Sequence, residues 1–197
     1  TSATPAAPRE KVNVTTDLFK ATIDSEGATV NYLELLKYDE ADRTKHVVLF
    51  EDGSPATRYV AQTGLVNPVA GDAFPNHLTQ MTPKAGPREM ADGQNTLEVS
   101  FESAPVGGLK YVKTYVFHRG DYAIGVRHEV VNVSDQPRDA LLYMQLLRHG
   151  TVAAGTMFGT NTFTGPAAYT NEKKFHKLDF KDIAKGKIEP PPPANDG

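Results

Sequence analysis

A period-two alternation of apolar and polar residues constrains the fold of this chain more than any other feature. It is clearest over residues 19–24 and 97–102, where the apolar members are Phe19, Ala21, Ile23, Leu97, Val99 and Phe101. Successive side chains of a β-strand point to opposite faces, so each segment predicts a strand with one buried face. The sequence therefore predicts a β protein.

The longest predicted strands form a hairpin. Lys110–Phe117 and Tyr122–Val133 are rich in Val, Tyr and Phe and meet at a turn in which Gly120 can take a positive φ. A further strand, Leu141–Leu147, follows the break at residues 134–137. We expect the three strands to run as an antiparallel meander.

One domain is expected, because 197 residues suffice for one sizeable core. It should occupy residues 11–188, with a linker of small residues and proline at 1–10 and a proline-rich linker at 189–197. Helix should be limited to short turns near Glu34–Tyr38 and Asp182–Lys185, since Gly and Pro interrupt most other segments.

Composition excludes several functional classes. A net charge of -3, without a basic stripe, argues against nucleic acid as a partner. No apolar run reaches the roughly 18 residues needed to cross a bilayer, and the N-terminus lacks a signal-peptide pattern. The absence of cysteine excludes disulfides and thiolate metal sites, and is compatible with an oxidising compartment.

Several short motifs suggest chemistry, but each has a simpler structural explanation. Arg119–Asp121 is the tripeptide of some adhesion ligands, yet it falls where the hairpin needs a turn. The glycosylation patterns that begin at Asn13 and Asn132 lie in predicted strands. The pair Asn76-His77 resembles one in aldose epimerases, where the histidine is a general acid, but a loop cap is the favoured interpretation.

No catalytic, cofactor-binding or metal-binding residue is predicted. The histidines have neither the spacing of a helical zinc pair nor a compact set of carboxylates beside them. Neither a nucleophile elbow nor a glycine-rich phosphate loop is present. A lysine-rich stretch at residues 173–187 could contact anionic lipid headgroups, but a solvated strand edge is favoured.

Ordered segments over nearly the whole chain resemble one family, the periplasmic domain of bacterial YidC-type membrane-protein insertases. They are Val14–Ile23, Gly27–Ala28, Arg58–Leu65, Phe117–Ile124, Asn132–Pro137, Phe163–Thr170 and Lys177–Phe180. The resemblance implies an all-β fold, a β-supersandwich of two twisted antiparallel sheets similar in architecture to galactose mutarotase. It also implies a bacterial inner-membrane protein with this domain in the periplasm, between the first and second transmembrane helices.

The resemblance further implies a function in protein insertion. The whole insertase would insert and fold membrane proteins, alone or with the Sec translocon. Its expected partners are Sec translocon components, including SecDF, and client membrane proteins; this domain would be a protein-interaction module without catalytic residues or cofactors. The alternative is a carbohydrate-binding or aldose-epimerase-like protein on the same fold. The chain has no Trp to form a sugar platform and no recognisable acid and base pair, which favours the insertase.

Overall fold

The computed structural model describes residues 8–55, 57–69, 73–149, 165–170 and 174–186. The chain divides after His149 into two compact units. In its described residues the first unit contains β1 (Lys11–Thr15), β2 (Phe19–Asp24), β3 (Thr29–Asp39), β4 (His46–Phe50), β5 (Tyr59–Val66), β6 (Met81–Pro83), β7 (Thr96–Ser103), β8 (Leu109–His118), β9 (Ile124–Asn132) and β10 (Leu141–Arg148).

The strands of the first unit form two antiparallel sheets. One has the order β1-β2-β3-β5-β10, with β4 also paired to β3, and the other has the order β6-β7-β8-β9. The core contains buried side chains from both sheets, with Ile23 of the first sheet and Leu97, Val99 and Phe101 of the second fully buried. The predicted all-β sandwich is confirmed, as are the inward faces at residues 19–24 and 97–102.

The predicted hairpin is confirmed. β8 and β9 pair in continuous register from Leu109 with Asn132 to Phe117 with Ile124. Gly120 lies in the connecting turn with a φ of 73°, a conformation that glycine adopts without steric cost.

The predicted meander is wrong, because β10 pairs with β5 of the other sheet instead of with β9. The connection over residues 133–140 is not a tight turn. The Asn132 side chain accepts a hydrogen bond from the Ser134 N–H and donates one to the Gln136 carbonyl, and Pro137 then interrupts the backbone donors. This loop carries the chain from one sheet to the other.

The predicted helical turn at Glu34–Tyr38 is also wrong, since these residues continue strand β3. Leu35 pairs with Phe19 across the sheet, and Glu34 pairs with Lys20. Cross-strand pairing therefore decides the conformation of a segment whose own helical preference is weak.

The second unit contains a hairpin of β11 (Ala167–Thr170) and β12 (Lys174–Lys177), followed by a short helix α1 (Phe180–Ala184). Asp179 caps the helix by accepting a hydrogen bond from the Lys181 N–H at 2.8 Å. The predicted turn near Asp182–Lys185 is confirmed, with its start slightly earlier. Residues 1–7 and the linker at 189–197 lie outside the described residues, so the linker boundaries stay predictions.

Candidate functional site

A buried lysine lies between the two sheets. Lys113 of β8 is fully buried, and its Nζ lies 2.5 Å from the Gly27 carbonyl oxygen, 3.3 Å from that of Thr63 and 3.4 Å from that of Ala28. These three acceptors belong to the other sheet and to the turn between β2 and β3. Lys113 therefore joins the sheets by hydrogen bonds in the buried interior.

Burial and hydrogen bonding act on this lysine in opposite directions. Burial lowers the pKa of Lys113 to about 7, because a charged ammonium loses its hydration in the core. Three carbonyl oxygens match the three donors of an ammonium and oppose this lowering of the pKa. Tyr115 supports the same turn, since its hydroxyl donates to the Ala28 carbonyl at 2.6 Å, and burial raises the pKa of this phenol.

A tyrosine and a histidine extend the polar cluster toward β9. The Tyr111 hydroxyl and His128 Nδ1 are 2.6 Å apart, and their rings stack at 5.7 Å. Burial raises the pKa of Tyr111 to about 12. Burial, and then the charge of Lys113, lower the pKa of His128. Because Lys113 and Tyr111 are fully buried, this cluster has the character of an inter-sheet brace and not of a site that substrate can reach.

Strand β10 exposes an unusual number of large apolar side chains. Leu141, Leu142, Met144, Leu146 and Leu147 are all exposed, Met144 by 74% and Leu146 by 63%. Leu142, Met144 and Leu146 lie on one face of the strand, and Leu141 and Leu147 lie on the other. Among the described residues β10 has a partner strand, β5, along one edge alone. We call these five residues the apolar edge.

A strand with this composition is typical of a position buried on both faces. Exposed apolar edge strands also offer unpaired backbone groups to other polypeptides, and contiguous exposed apolar surface marks protein contacts. The apolar edge is therefore the candidate interaction surface of the first unit.

The loop-cap interpretation of Asn76-His77 is confirmed. The Asn76 side-chain oxygen accepts from the Leu78 N–H at 2.8 Å, and the Thr79 hydroxyl accepts from the Asn76 N–H at 2.9 Å. His77 Nδ1 hydrogen-bonds the hydroxyl of Tyr143, which ties the loop to strand β10. The backbone N–H of His77 donates to the same hydroxyl at 3.1 Å.

The tripeptide Arg119–Asp121 forms the hairpin turn, as predicted. The Arg119 guanidinium donates to the carbonyls of Gln94 and Ala91, both at 2.8 Å, and the Gly120 N–H donates to the Asp17 carboxylate at 2.9 Å. The segment is therefore bound to its own chain. The two sequon asparagines also accept hydrogen bonds from their own chain. Asn13 Oδ1 accepts from the Thr22 hydroxyl on the paired strand, and Asn132 Oδ1 accepts from the Ser134 hydroxyl within its loop.

The described residues hold no group of three or more His, Asp or Glu side chains placed to bind a metal ion. In the part of the chain described, no helix is long and apolar enough to cross a membrane. Of the lysine-rich stretch, residues 174–186 are described. Lys174 lies 5.9 Å from the centre of the Tyr169 ring, and the α1 helix buries none of its residues, so this part of the stretch is solvated.

Sequence reasoning missed both the buried lysine and the apolar edge. The sequence does contain a signal that Lys113 is buried. The lysine occupies the same alternating positions of β8 as Tyr111, Tyr115 and Phe117, so its side chain points to the inward face. The apolar edge has a signal too: Leu141–Leu147 is apolar at adjacent positions, which predicts burial on both faces but cannot show what covers them.

Comparison with known proteins gives one family. The family model for the YidC periplasmic domain matches residues 11–196. The chain is 45% identical over 203 residues to the membrane protein insertase YidC of Cupriavidus necator, which covers 100% of the chain and 35% of that relative. It is 43% identical over 181 residues to the YidC insertase of a Janthinobacterium species, covering 91% of the chain and 31% of the relative. The chain thus spans about a third of the length of these relatives.

Proposed function

Because this chain belongs to the YidC periplasmic domain family, we propose that it is the periplasmic part of an inner-membrane insertase. In this proposal the whole protein inserts and folds membrane proteins, alone or with the Sec translocon, and the chain before the domain leads to a first transmembrane helix. The names of the relatives favour this function over the carbohydrate-binding alternative.

The domain's own role in this proposal is protein contact without catalysis. Its partners are client membrane proteins and Sec translocon components, including SecDF. The observation that supports a contact role is the apolar edge, where Met144 and Leu146 are the most exposed members. Leaving these side chains in water is unfavourable, by about 25 cal/mol for each Å² of apolar surface that a cover would bury.

We propose that polypeptide covers the apolar edge in the full-length insertase. The relatives are about three times as long as this chain, and a protein of that length has further polypeptide that can act as the cover, in addition to any partner. The central strand β5, whose Val60 and Leu65 are buried, shows the degree of burial that β10 would reach once covered.

Cysteine labelling tests this proposal directly, because the chain contains no cysteine of its own. Met144→Cys would be labelled with a maleimide in the isolated chain and in the full-length protein, freed of other cysteines, in native membranes. We expect labelling to be at least about tenfold slower in the full-length protein, in the range of local protection that burial produces. Asp92→Cys, in an exposed turn, is the control and should react equally in both.

Equal labelling of Met144→Cys in the two preparations would refute the covered edge. If Met144→Cys is protected in the full-length protein, a photo-crosslinking residue at position 144 identifies the cover. Intramolecular, SecDF and client products differ in mass.

A further inference from the structure

The N-terminal end of the described chain is held by an unusually buried carboxylate. Arg9 Nε lies 3.0 Å and 2.9 Å from the two Asp24 carboxylate oxygens, and Arg9 Nη2 lies 2.8 Å from Oδ2. Arg9 Nη1 also lies 3.2 Å from Glu26 Oε2. Asp24 is 2% exposed although Arg9 is 55% exposed, so the guanidinium acts as a lid over a carboxylate in the sheet.

Backbone contacts hold the same segment. The Glu10 N–H donates to Ser25 Oγ at 2.7 Å, and the Ser25 N–H donates to the Glu10 carbonyl at 2.8 Å. Gln80 Nε2 donates to Ser25 Oγ at 2.6 Å and to the Pro8 carbonyl at 3.3 Å. Residues 8–10, predicted as part of a linker, therefore attach to the sandwich at each residue.

The buried carboxylate makes this attachment stronger than an ordinary surface ion pair. Asp24 also accepts from the Glu26 N–H at 2.9 Å and from Asn31 Nδ2 at 3.3 Å. Removing the partner of a buried charge leaves that charge uncompensated, which is far more costly than opening an exposed pair. Arg127 and Glu98 form such an exposed pair, with side chains 51% and 47% exposed.

We propose that Arg9 is a positioning residue: its guanidinium clamps residues 8–10 onto Asp24 and so fixes the direction in which the preceding chain leaves the sandwich. The contacts of Arg9 support the clamp without any assumption about function. Its effect on the orientation of the domain rests on the proposed function, in which the preceding chain leads to the membrane. There the clamp holds the domain in a defined orientation above the bilayer.

Hydrogen exchange of single amides tests the clamp without a membrane. In Arg9→Gln we expect the amides of Glu10 and Ser25 to exchange about tenfold faster or more, because a charge-assisted anchor is lost. Arg9→Lys keeps the charge without the two-pronged geometry and should fall between the wild type and Arg9→Gln. Arg127→Gln is the matched control and should leave both amides unchanged.

A double variant separates loss of the clamp from general unfolding. Arg9→Gln with Asp24→Asn removes both charges, so no uncompensated carboxylate stays buried. The same two amides should again exchange faster while that of Val99, in the core, keeps its rate. Unchanged exchange at Glu10 and Ser25, or an equal increase at all three amides, would overturn the clamp.

The consequence is tested in full-length protein in lipid nanodiscs. Energy transfer from a dye on Asp92→Cys to labelled lipid reports the distance of the domain from the bilayer and the width of the distribution of that distance. We expect a broader distance distribution in Arg9→Gln and in the double variant than in the wild type or Arg127→Gln. An unchanged distribution together with faster exchange would overturn the positioning role alone. Failure of the full-length protein to enter the nanodiscs would instead contradict the proposed membrane function.

Discussion

Replacing the buried lysine by methionine should change how the stability of the first unit depends on pH. Lys113→Met keeps an unbranched side chain, one heavy atom shorter, and removes the ionisable group. In the folded wild type, burial lowers the pKa of Lys113 to about 7, whereas the unfolded chain keeps the ordinary value of 10.5. Between these two values the unfolded state binds nearly one proton more than the folded state.

Wild-type stability should therefore rise with pH inside this window and stop changing with this group below about pH 7. A difference of one bound proton changes the free energy of unfolding by about 1.36 kcal/mol per pH unit. Between pH 7.5 and 9.5 the free energy of unfolding should therefore rise by about 2.5 kcal/mol. The three carbonyl acceptors of Lys113 reduce this figure, so we expect a gain of about 1 to 2.5 kcal/mol relative to Lys113→Met.

Urea unfolding at several pH values measures this difference. Neighbouring titratable groups do not contribute to the pH dependence of stability in this pH window. The lowered pKa of His128 places its contribution at lower pH. The raised pKa values of Tyr111 and Tyr115 place their contributions above pH 10. Lys20→Met is the control, because Lys20 is exposed and its slope should match the wild type. Parallel curves for the wild type and Lys113→Met would refute the argument that burial controls this amine.

The remaining predictions concern packing, fold and activity. Gly64→Ala should lose about 1 to 3 kcal/mol in urea unfolding, because its Cβ would lie 2.6 Å from the Tyr143 hydroxyl and 2.7 Å from Asn76 Cα; an effect no larger than that of Gly125→Ala would contradict this. The circular dichroism spectrum should be that of β structure, and a helical spectrum would count against the fold. The chain should not accelerate glucose or galactose anomer exchange; acceleration lost in His77→Ala would show the opposite. It should neither insert clients nor bind liposomes in high salt, because shielding polar backbone from hydrocarbon needs a membrane-embedded surface.

The sequence predicted the strands better than their arrangement. Alternation identified the inward faces at 19–24 and 97–102 because each side chain's environment depends on the strand's own periodicity. The same rule failed for the partner of β10, since pairing with β5 depends on the path of the loop after Asn132. Local pattern could not determine which sheet that loop would reach.

In the candidate sites, too, local alternation indicates which way a side chain faces but not which distant residues it contacts. Alternation along β8 contains a signal that Lys113 faces inward, although sequence reasoning missed it. Its three carbonyl partners come from residues 27, 28 and 63, which no spacing rule relates to it. Likewise Asp24 occupies a polar position of its strand, and Arg9, 15 residues earlier in the chain, contacts its carboxylate. Contacts between distant segments of the chain thus created the features that the sequence left unseen.

Strand order links the two surfaces proposed to matter for function. The Arg9 clamp lies on β2, beside the edge strand β1, and the apolar edge lies on β10 at the opposite end of the order β1-β2-β3-β5-β10. Three strand spacings of about 4.8 Å separate β2 from β10 by roughly 14 Å. A hydrogen-bonded sheet transmits orientation across such a distance, so fixing the chain at Arg9 also fixes the direction that the apolar edge faces. Loosening the clamp should therefore slow the formation of crosslinks from position 144 without changing which products form.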